Sequence, residues 1–97
     1  MTKTDESAPN GRTETILNQR GLHARAAARL AETAGAFEAE ITVARDGQKV
    51  SALSIMGLMM LAAGPGTQIT IEAKGSDAED ALNAISALIK ARFDEDS

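Results

Sequence analysis

The only histidine of the chain, His23, stands where two kinds of anion-binding group come together. His23 lies two residues after Gly21 and directly precedes an alanine-rich stretch with helical periodicity. The sequence therefore predicts that its ring lies at the start of a helix. The first backbone N–H groups of a helix have no partner within the helix, so they attract anions. Arg25 adds a guanidinium that can make a charge-assisted contact to the same anion.

Phosphate is the anion that best fits this setting, since neutral imidazole is a nucleophile near pH 7. A phosphoryl group on the His23 ring would meet the backbone N–H groups of Ala24 and Arg25 and the Arg25 side chain. The pattern Gly-x-His-x-Arg therefore predicts a phosphoryl acceptor. The alternative interpretation is an ordinary surface or capping histidine, and a pattern this short does not separate the two.

The composition excludes several other classes of protein. A chain of 97 residues is expected to form one domain with a thin aliphatic core and no large ligand cavity. A net charge of -4 and only two aromatic residues argue against nucleic-acid binding. The absence of cysteine excludes disulfides and thiolate chemistry, and one histidine makes a transition-metal site unfavourable. We expect no cofactor and no metal.

The chain is expected to be cytoplasmic and not inserted in a membrane. Its polar amino terminus lacks the apolar stretch of a signal peptide, and the most apolar segment, ALSIMGLMMLAAG, is too short to span a bilayer. We assign residues 1–12 to a disordered tail, residues 13–93 to the domain and residues 94–97 to an acidic tail.

Seven elements follow from the periodicity. The sequence predicts a strand at residues 13–17, a helix from His23 that Gly35 closes in a left-handed conformation, and two strands joined at Asp46-Gly47. A short helix at 54–61, a strand at 68–73 and a last helix with Ser76 as N-cap complete the order. The predicted fold is α+β, an open-faced two-layer β-sandwich of order β-α-β-β-α-β-α. Three helices cover one face of its four-stranded antiparallel sheet.

The short helix SIMGLMML predicts a docking surface. Leu58 and Leu61 are expected to point into the core, and a helix of about two turns cannot also bury its other apolar residues, Ile55, Met56, Met59 and Met60. Exposed methionines suit a surface that accepts several partners, whereas the alternative interpretation places them in the core. Ser54 is the predicted N-cap residue.

From residue 13 to residue 91 the chain resembles HPr, the histidine phosphocarrier family of the phosphoenolpyruvate-dependent phosphotransferase system. The segments that carry the resemblance are GLHARAAARLAE, SALSIMGLMMLAA and GTQITIEAKG. It implies a monomeric phosphocarrier rather than an enzyme. His23 would accept a phosphoryl group at Nδ1 from phosphorylated enzyme I and pass it to a type IIA protein, while Arg25 stabilises it.

The resemblance also implies a partner interface and a regulatory site. The interface would consist of Arg20, Arg25, Ile55, Met56, Met59 and Met60. Ser54 matches the serine that HPr kinase/phosphorylase modifies in many bacteria, and a phosphate there would add about -2 charge beside the apolar face.

Two residues depart from the family pattern. Ala26 replaces a usual proline, and Arg20 replaces a smaller polar residue, so the lifetime of the phosphohistidine is expected to differ. Both changes are compatible with a nitrogen-related branch, but the IIA acceptor and the choice between sugar uptake and nitrogen regulation stay open. A regulatory interaction module that is not phosphorylated is the alternative function. A small hydrolase is disfavoured, because the sequence offers no second histidine and no carboxylate pair near His23.

Overall fold

Alternating apolar residues build a four-stranded antiparallel sheet in residues 10–97, the part of the chain that the computed structural model describes. The strands are β1 (Asn10–Thr15), β2 (Glu40–Arg45), β3 (Gln48–Ser51) and β4 (Gln68–Lys74). Their spatial order is β1-β4-β2-β3, and every neighbouring pair is antiparallel. Asp46 and Gly47 have φ values of 50° and 87°, which confirms the predicted tight turn between β2 and β3.

Three helices cover one face of this sheet: α1 (Ala24–Gly35), α2 (Ile55–Met60) and α3 (Ala78–Lys90). The helix α1 packs against both α2 and α3, and α3 packs on β1 and β4. The core is aliphatic, with the fully buried Phe93 as its aromatic residue. The other face of the sheet carries charged side chains such as Lys49 and Glu72, which form an ion pair of 3.1 Å. The element order and the two-layer fold are confirmed.

The first strand begins earlier than the sequence predicted. Asn10, Gly11 and Arg12, which we assigned to the tail, pair with β4 from Ala73 to Ile71. These three residues show no alternation of apolar side chains, because β1 is an edge strand. Backbone pairing with β4, rather than burial of side chains, extends the strand to Asn10. The rest of the predicted tail, residues 1–9, lies outside the described residues.

Two predicted helix boundaries are wrong. Gly35 is the last residue of α1, and the helix ends through Ala36, which has an ordinary right-handed φ of -80°. The N-cap of α3 is Asp77 instead of Ser76. The Asp77 carboxylate accepts hydrogen bonds from the backbone N–H groups of Glu38 and Ala39, at 2.8 and 2.9 Å, so it anchors the approach to β2 rather than capping the helix.

The chain reverses after α3 through a short 3₁₀ turn, Arg92–Asp94, whose three residues all have positive φ. Phe93 at the centre of this turn is fully buried. The reversal brings residues 94–97 onto the loop before α1, where the backbone N–H of Gln19 donates to the carbonyl of Ser97 at 3.1 Å. These four residues, which we placed in an acidic tail outside the domain, therefore pack against it.

Candidate functional site

The loop that carries His23 is fixed by a close approach of two backbones. Gly21 has a φ of +65°, and a Cβ atom at this position would lie 2.4 Å from the carbonyl oxygen of Ala63. The same carbonyl accepts a hydrogen bond from the N–H of Leu22 at 3.0 Å. Only glycine fits both the conformation and the space, so the loop is held against the segment that follows α2.

The sequence placed His23 directly before a helix, and the structure makes it the N-cap residue of α1. Its φ of -75° and ψ of -179° are extended, and its carbonyl accepts the first helical hydrogen bond from Ala27 at 2.8 Å. The side chain makes no capping hydrogen bond, so the ring is free to serve another purpose. The N–H groups of the first helical turn lie directly beyond it, as an anion site requires.

The ring of His23 is largely covered, because the carboxyl-terminal residues fold over it. Its side chain is only 16 % exposed, and Nε2 is hydrogen-bonded to the Glu95 carboxylate. Within residues 10–97, Nδ1 has no hydrogen-bond partner. The site therefore occupies one ring nitrogen and leaves the other available.

Glu95 is held in turn by Asn18, a fully buried side chain at the start of the loop. The Nδ2 group of Asn18 donates to Glu95 Oε1 at 3.0 Å and to the carbonyl oxygen of Gly21 at 2.9 Å. One amide thus joins the carboxylate to the loop that carries the histidine.

Burial raises the pKa of Glu95, but the hydrogen bonds from His23 and Asn18 and the charges of His23 and Arg20 outweigh it. The net effect is a pKa below the ordinary value of 4.5. Ionised Glu95 therefore contributes its full stabilisation above about pH 4.5, and this stabilisation is lost as the pH falls through the lower pKa of the folded state.

Three arginines surround this carboxylate. Arg20, Arg25 and Arg29 line one groove together with Glu95, and Arg20 also lines the neighbouring groove that contains His23. Arg29 pairs with Asp94 at 3.3 Å, whereas Arg20 and Arg25 have no ion pair within residues 10–97. Two exposed guanidiniums near the helix start are thus free to meet an anion, although the structure shows no contact between Arg25 and the ring.

Ala26, the residue that replaces the family's usual proline, is the third residue of α1 and fully buried. Proline is favoured at the first residue of a helix, whereas this position is the third, and the N–H of the third helical residue also lacks a partner within the helix. Ala26 therefore adds one backbone donor to the helix start.

The helix α2 presents an apolar face, as predicted. Leu58 and Leu61 are buried, while Met56 and Met60 are each 68 % exposed, and Ile55 and Met59 are 43 % and 39 % exposed. Met59 lines the same groove as His23, so the face and the histidine loop form one continuous surface. Leu53, which is 63 % exposed and directly precedes the N-cap residue, lines a separate groove with Phe37 and Ile41.

Ser54 is the N-cap of α2, which confirms the predicted cap. Its Oγ accepts a hydrogen bond from the N–H of Gly57 at 2.9 Å. A Cβ atom on Gly57 would lie 2.9 Å from that oxygen and 3.1 Å from the Cβ atom of Val50. The glycine therefore provides the space in which the cap forms.

No group of three histidine, aspartate or glutamate side chains that could hold a metal ion occurs within residues 10–97. In the same part of the chain, no helix is both long enough and apolar enough to cross a bilayer.

Local sequence patterns do not reveal the contact between Asn18 and Glu95, because the two residues lie 77 residues apart in the chain. The one available signal was Phe93, an aromatic residue in an otherwise polar carboxyl terminus. A buried anchor at that position would have indicated that the acidic residues after it return to the domain.

Comparison with known proteins gives a consistent result. Residues 11–91 match the family model described as PTS HPr component phosphorylation site. The chain is 50 % identical to the phosphocarrier protein HPr of Cupriavidus necator over 84 residues, covering 87 % of this chain and 94 % of that protein. It is 54 % identical to the phosphocarrier protein NPr of Shewanella violacea over 83 residues, covering 86 % of this chain and 91 % of that protein.

A solved structure agrees with these matches. The crystal structure of HPr-C-His from Thermoanaerobacter tengcongensis superposes with a TM-score of 0.87 at 41 % sequence identity, over 91 % of this chain and 99 % of that chain.

Proposed function

This chain belongs to the HPr family of phosphotransferase-system phosphocarriers, and from that premise we propose that His23 is its phosphoryl acceptor. The ring takes the group from phosphorylated enzyme I at Nδ1 and passes it to a type IIA protein of a sugar or nitrogen-related system. The observation that carries this proposal is the position of His23 as N-cap of α1 with Nε2 bonded and Nδ1 free within the described chain.

The start of α1 supports a phosphoryl group on His23. The backbone N–H groups of Ala24 and Arg25 are the first two of α1, and they have no partner within the helix. The exposed guanidinium of Arg25 can add a bidentate contact to phosphoryl oxygens. The chain acts as a stoichiometric carrier, because the phosphoryl group leaves on the acceptor and the carrier returns to its starting form.

A discharge experiment tests the carrier role. The chain is labelled with radioactive phosphoenolpyruvate and enzyme I, and then mixed with purified IIA proteins of the sugar type and of the nitrogen-related type. We expect label to leave the carrier and appear on at least one acceptor, and the faster acceptor identifies the pathway. Label that reaches the chain but never leaves it would contradict a carrier role.

We propose that partners dock on the apolar face of α2 together with Arg20 and Arg25, and that the carrier itself is monomeric. The face is formed by Ile55, Met56, Met59 and Met60, and it continues into the groove of His23 through Met59. Its exposed apolar area suits a transient interface that both enzyme I and a IIA protein use in turn.

Met56→Glu should slow phosphoryl transfer from enzyme I by about tenfold or more, because a charge would have to be buried in an apolar contact. Initial rates at low carrier concentration measure the effect. The matched control is Asn83→Glu, which adds the same charge to an exposed position of α3. Equal rates for the two variants would place the docking surface elsewhere.

Ser54 is the proposed regulatory site. Modification by an HPr kinase/phosphorylase would esterify the oxygen that accepts the N–H of Gly57 and add about -2 charge at the edge of the apolar face. Phosphoserine should then lower the rate of transfer from enzyme I. The chain is incubated with such a kinase and ATP, with Ser54→Ala as control, and the absence of phosphoserine in the wild-type chain would remove this part of the proposal.

A further inference from the structure

The Glu95 carboxylate bridges two groups of the loop before α1. One oxygen faces Nε2 of His23, and the other accepts a hydrogen bond from Nδ2 of Asn18 at 3.0 Å. Both the His23 and the Glu95 side chains are about 15 % exposed, so the contact is largely shielded from water.

We infer that Glu95 is a positioning residue for His23, which holds the ring hydrogen on Nε2 and thereby keeps the lone pair of Nδ1 free to attack phosphorus. The inference rests on the proposed function, since it explains how this chain prepares its phosphoryl acceptor.

The hydrogen-bond partner of Nε2 determines the tautomer of the His23 ring. An ionised carboxylate only accepts hydrogen bonds, so the nitrogen that faces Glu95 must carry the hydrogen. A neutral imidazole has one N–H, and the other nitrogen then has a lone pair. With Nε2 bound to Glu95, the nucleophilic nitrogen is Nδ1.

The carboxylate of Glu95 also stabilises the positive charge that phosphoryl transfer creates on the His23 ring. As the Nδ1 lone pair forms the nitrogen–phosphorus bond, the bond from phosphorus to the donor's leaving atom breaks, and its electron pair stays with the donor. The hydrogen remains on Nε2, so the phosphorylated ring gains a positive charge opposite the negative Glu95. When the phosphoryl group leaves for the acceptor, the bonding pair returns to Nδ1 and the ring is neutral again. A buried carboxylate beside a catalytic histidine acts in the same two ways in serine proteases.

The backbone turn that places Glu95 beside His23 is strained. Arg92, Phe93 and Asp94 have φ values of 57°, 53° and 62°, a conformation that non-glycine residues adopt at an energetic cost. Burial of Phe93 stabilises this turn and reverses the chain toward His23. Strain of this kind concentrates at functional sites, where the surrounding structure maintains it.

Glu95→Gln gives a specific test because Asn18 controls the orientation of the new amide. The carbonyl oxygen of the glutamine should accept the Asn18 donor, which turns its NH₂ group toward Nε2 of His23. Nε2 then becomes the acceptor, the ring hydrogen moves to Nδ1, and the nucleophilic lone pair is lost. We expect phosphorylation by enzyme I to slow by about 10- to 100-fold, the loss typical when the carboxylate partner of a metal-bound histidine is removed.

The experiment records ring ¹⁵N chemical shifts of the unphosphorylated chain, whose single histidine makes the assignment unambiguous, together with rates of phosphorylation. We expect the wild-type chain to show the Nε2–H tautomer, Glu95→Gln the Nδ1–H tautomer, and Glu95→Ala a mixture with an intermediate rate. Asp96→Asn, which removes the same charge from an exposed neighbour, should retain the wild-type shifts and rate.

Wild-type shifts and rate in Glu95→Gln would overturn the positioning role and leave the proposed function intact. Failure of the wild-type chain to accept any phosphoryl group would instead overturn the proposed function and, with it, the purpose assigned to Glu95. The tautomer would still report whether the carboxylate orients the ring. The two failures are therefore distinguishable.

Discussion

His23→Ala is expected to abolish phosphorylation by phosphoenolpyruvate and enzyme I, and not merely to slow it. The chain has no other imidazole and no thiol, so no side chain of comparable nucleophilicity near pH 7 replaces His23. The helix should survive the change, because the His23 side chain makes no capping hydrogen bond and its backbone role is independent of the ring.

Two measurements accompany this substitution. Circular dichroism and thermal unfolding check that the variant is folded, and the amount of label per chain measures its phosphorylation. Retention of label by His23→Ala would contradict the assignment of the acceptor. A folded wild-type chain that takes no label but still binds enzyme I would favour the alternative of an interaction module that is not phosphorylated.

Phe93→Ala is expected to lower the free energy of unfolding by about 3 to 5 kcal/mol, the range for truncating a buried aromatic residue. Phe93 is fully buried, and it holds the strained turn that returns the chain to the site. Since small domains are typically stable by only about 5 to 15 kcal/mol, the loss should be large relative to the total. Urea unfolding at low temperature measures it.

The same variant should also detach Glu95 from His23, because the turn loses its anchor. In the folded population, the ring ¹⁵N shifts should move toward a mixture of tautomers, as in Glu95→Ala. Phe93→Leu, which retains most of the buried volume, is the matched control and should keep the wild-type tautomer. A stability loss below about 1 kcal/mol in Phe93→Ala would show that the turn does not depend on this side chain.

The elements of the fold could be predicted because their signals are local. Ile69 and Ile71 alternate with polar residues in β4, and the Asp46-Gly47 turn requires positive φ at two residues, which the structure shows. The N-cap position of Ser54 and the place of His23 directly before α1 were equally readable from the residues that follow them. Asp77 illustrates the limit, since its carboxylate bonds to Glu38 and Ala39, which lie far away in sequence.

The carboxylate of the site could not be predicted for the same reason. Glu95 reaches His23 across 72 residues, through a turn that contains neither glycine nor asparagine, the usual sequence signals of positive φ. The sequence therefore indicated a loose acidic end where the structure has a packed segment. Tertiary burial of Phe93 determines this part of the site, and the sequence marks it only by a single aromatic residue in a polar carboxyl terminus.

Mass spectrometry of the intact chain after mixing with enzyme I and phosphoenolpyruvate is the sharpest test of His23 as the phosphoryl acceptor. We expect a mass increase of one phosphoryl group, lost on mild acid treatment, in a fragment that contains His23, with ³¹P NMR placing the phosphorus on Nδ1. An unmodified mass, or a modification that survives acid, would contradict it.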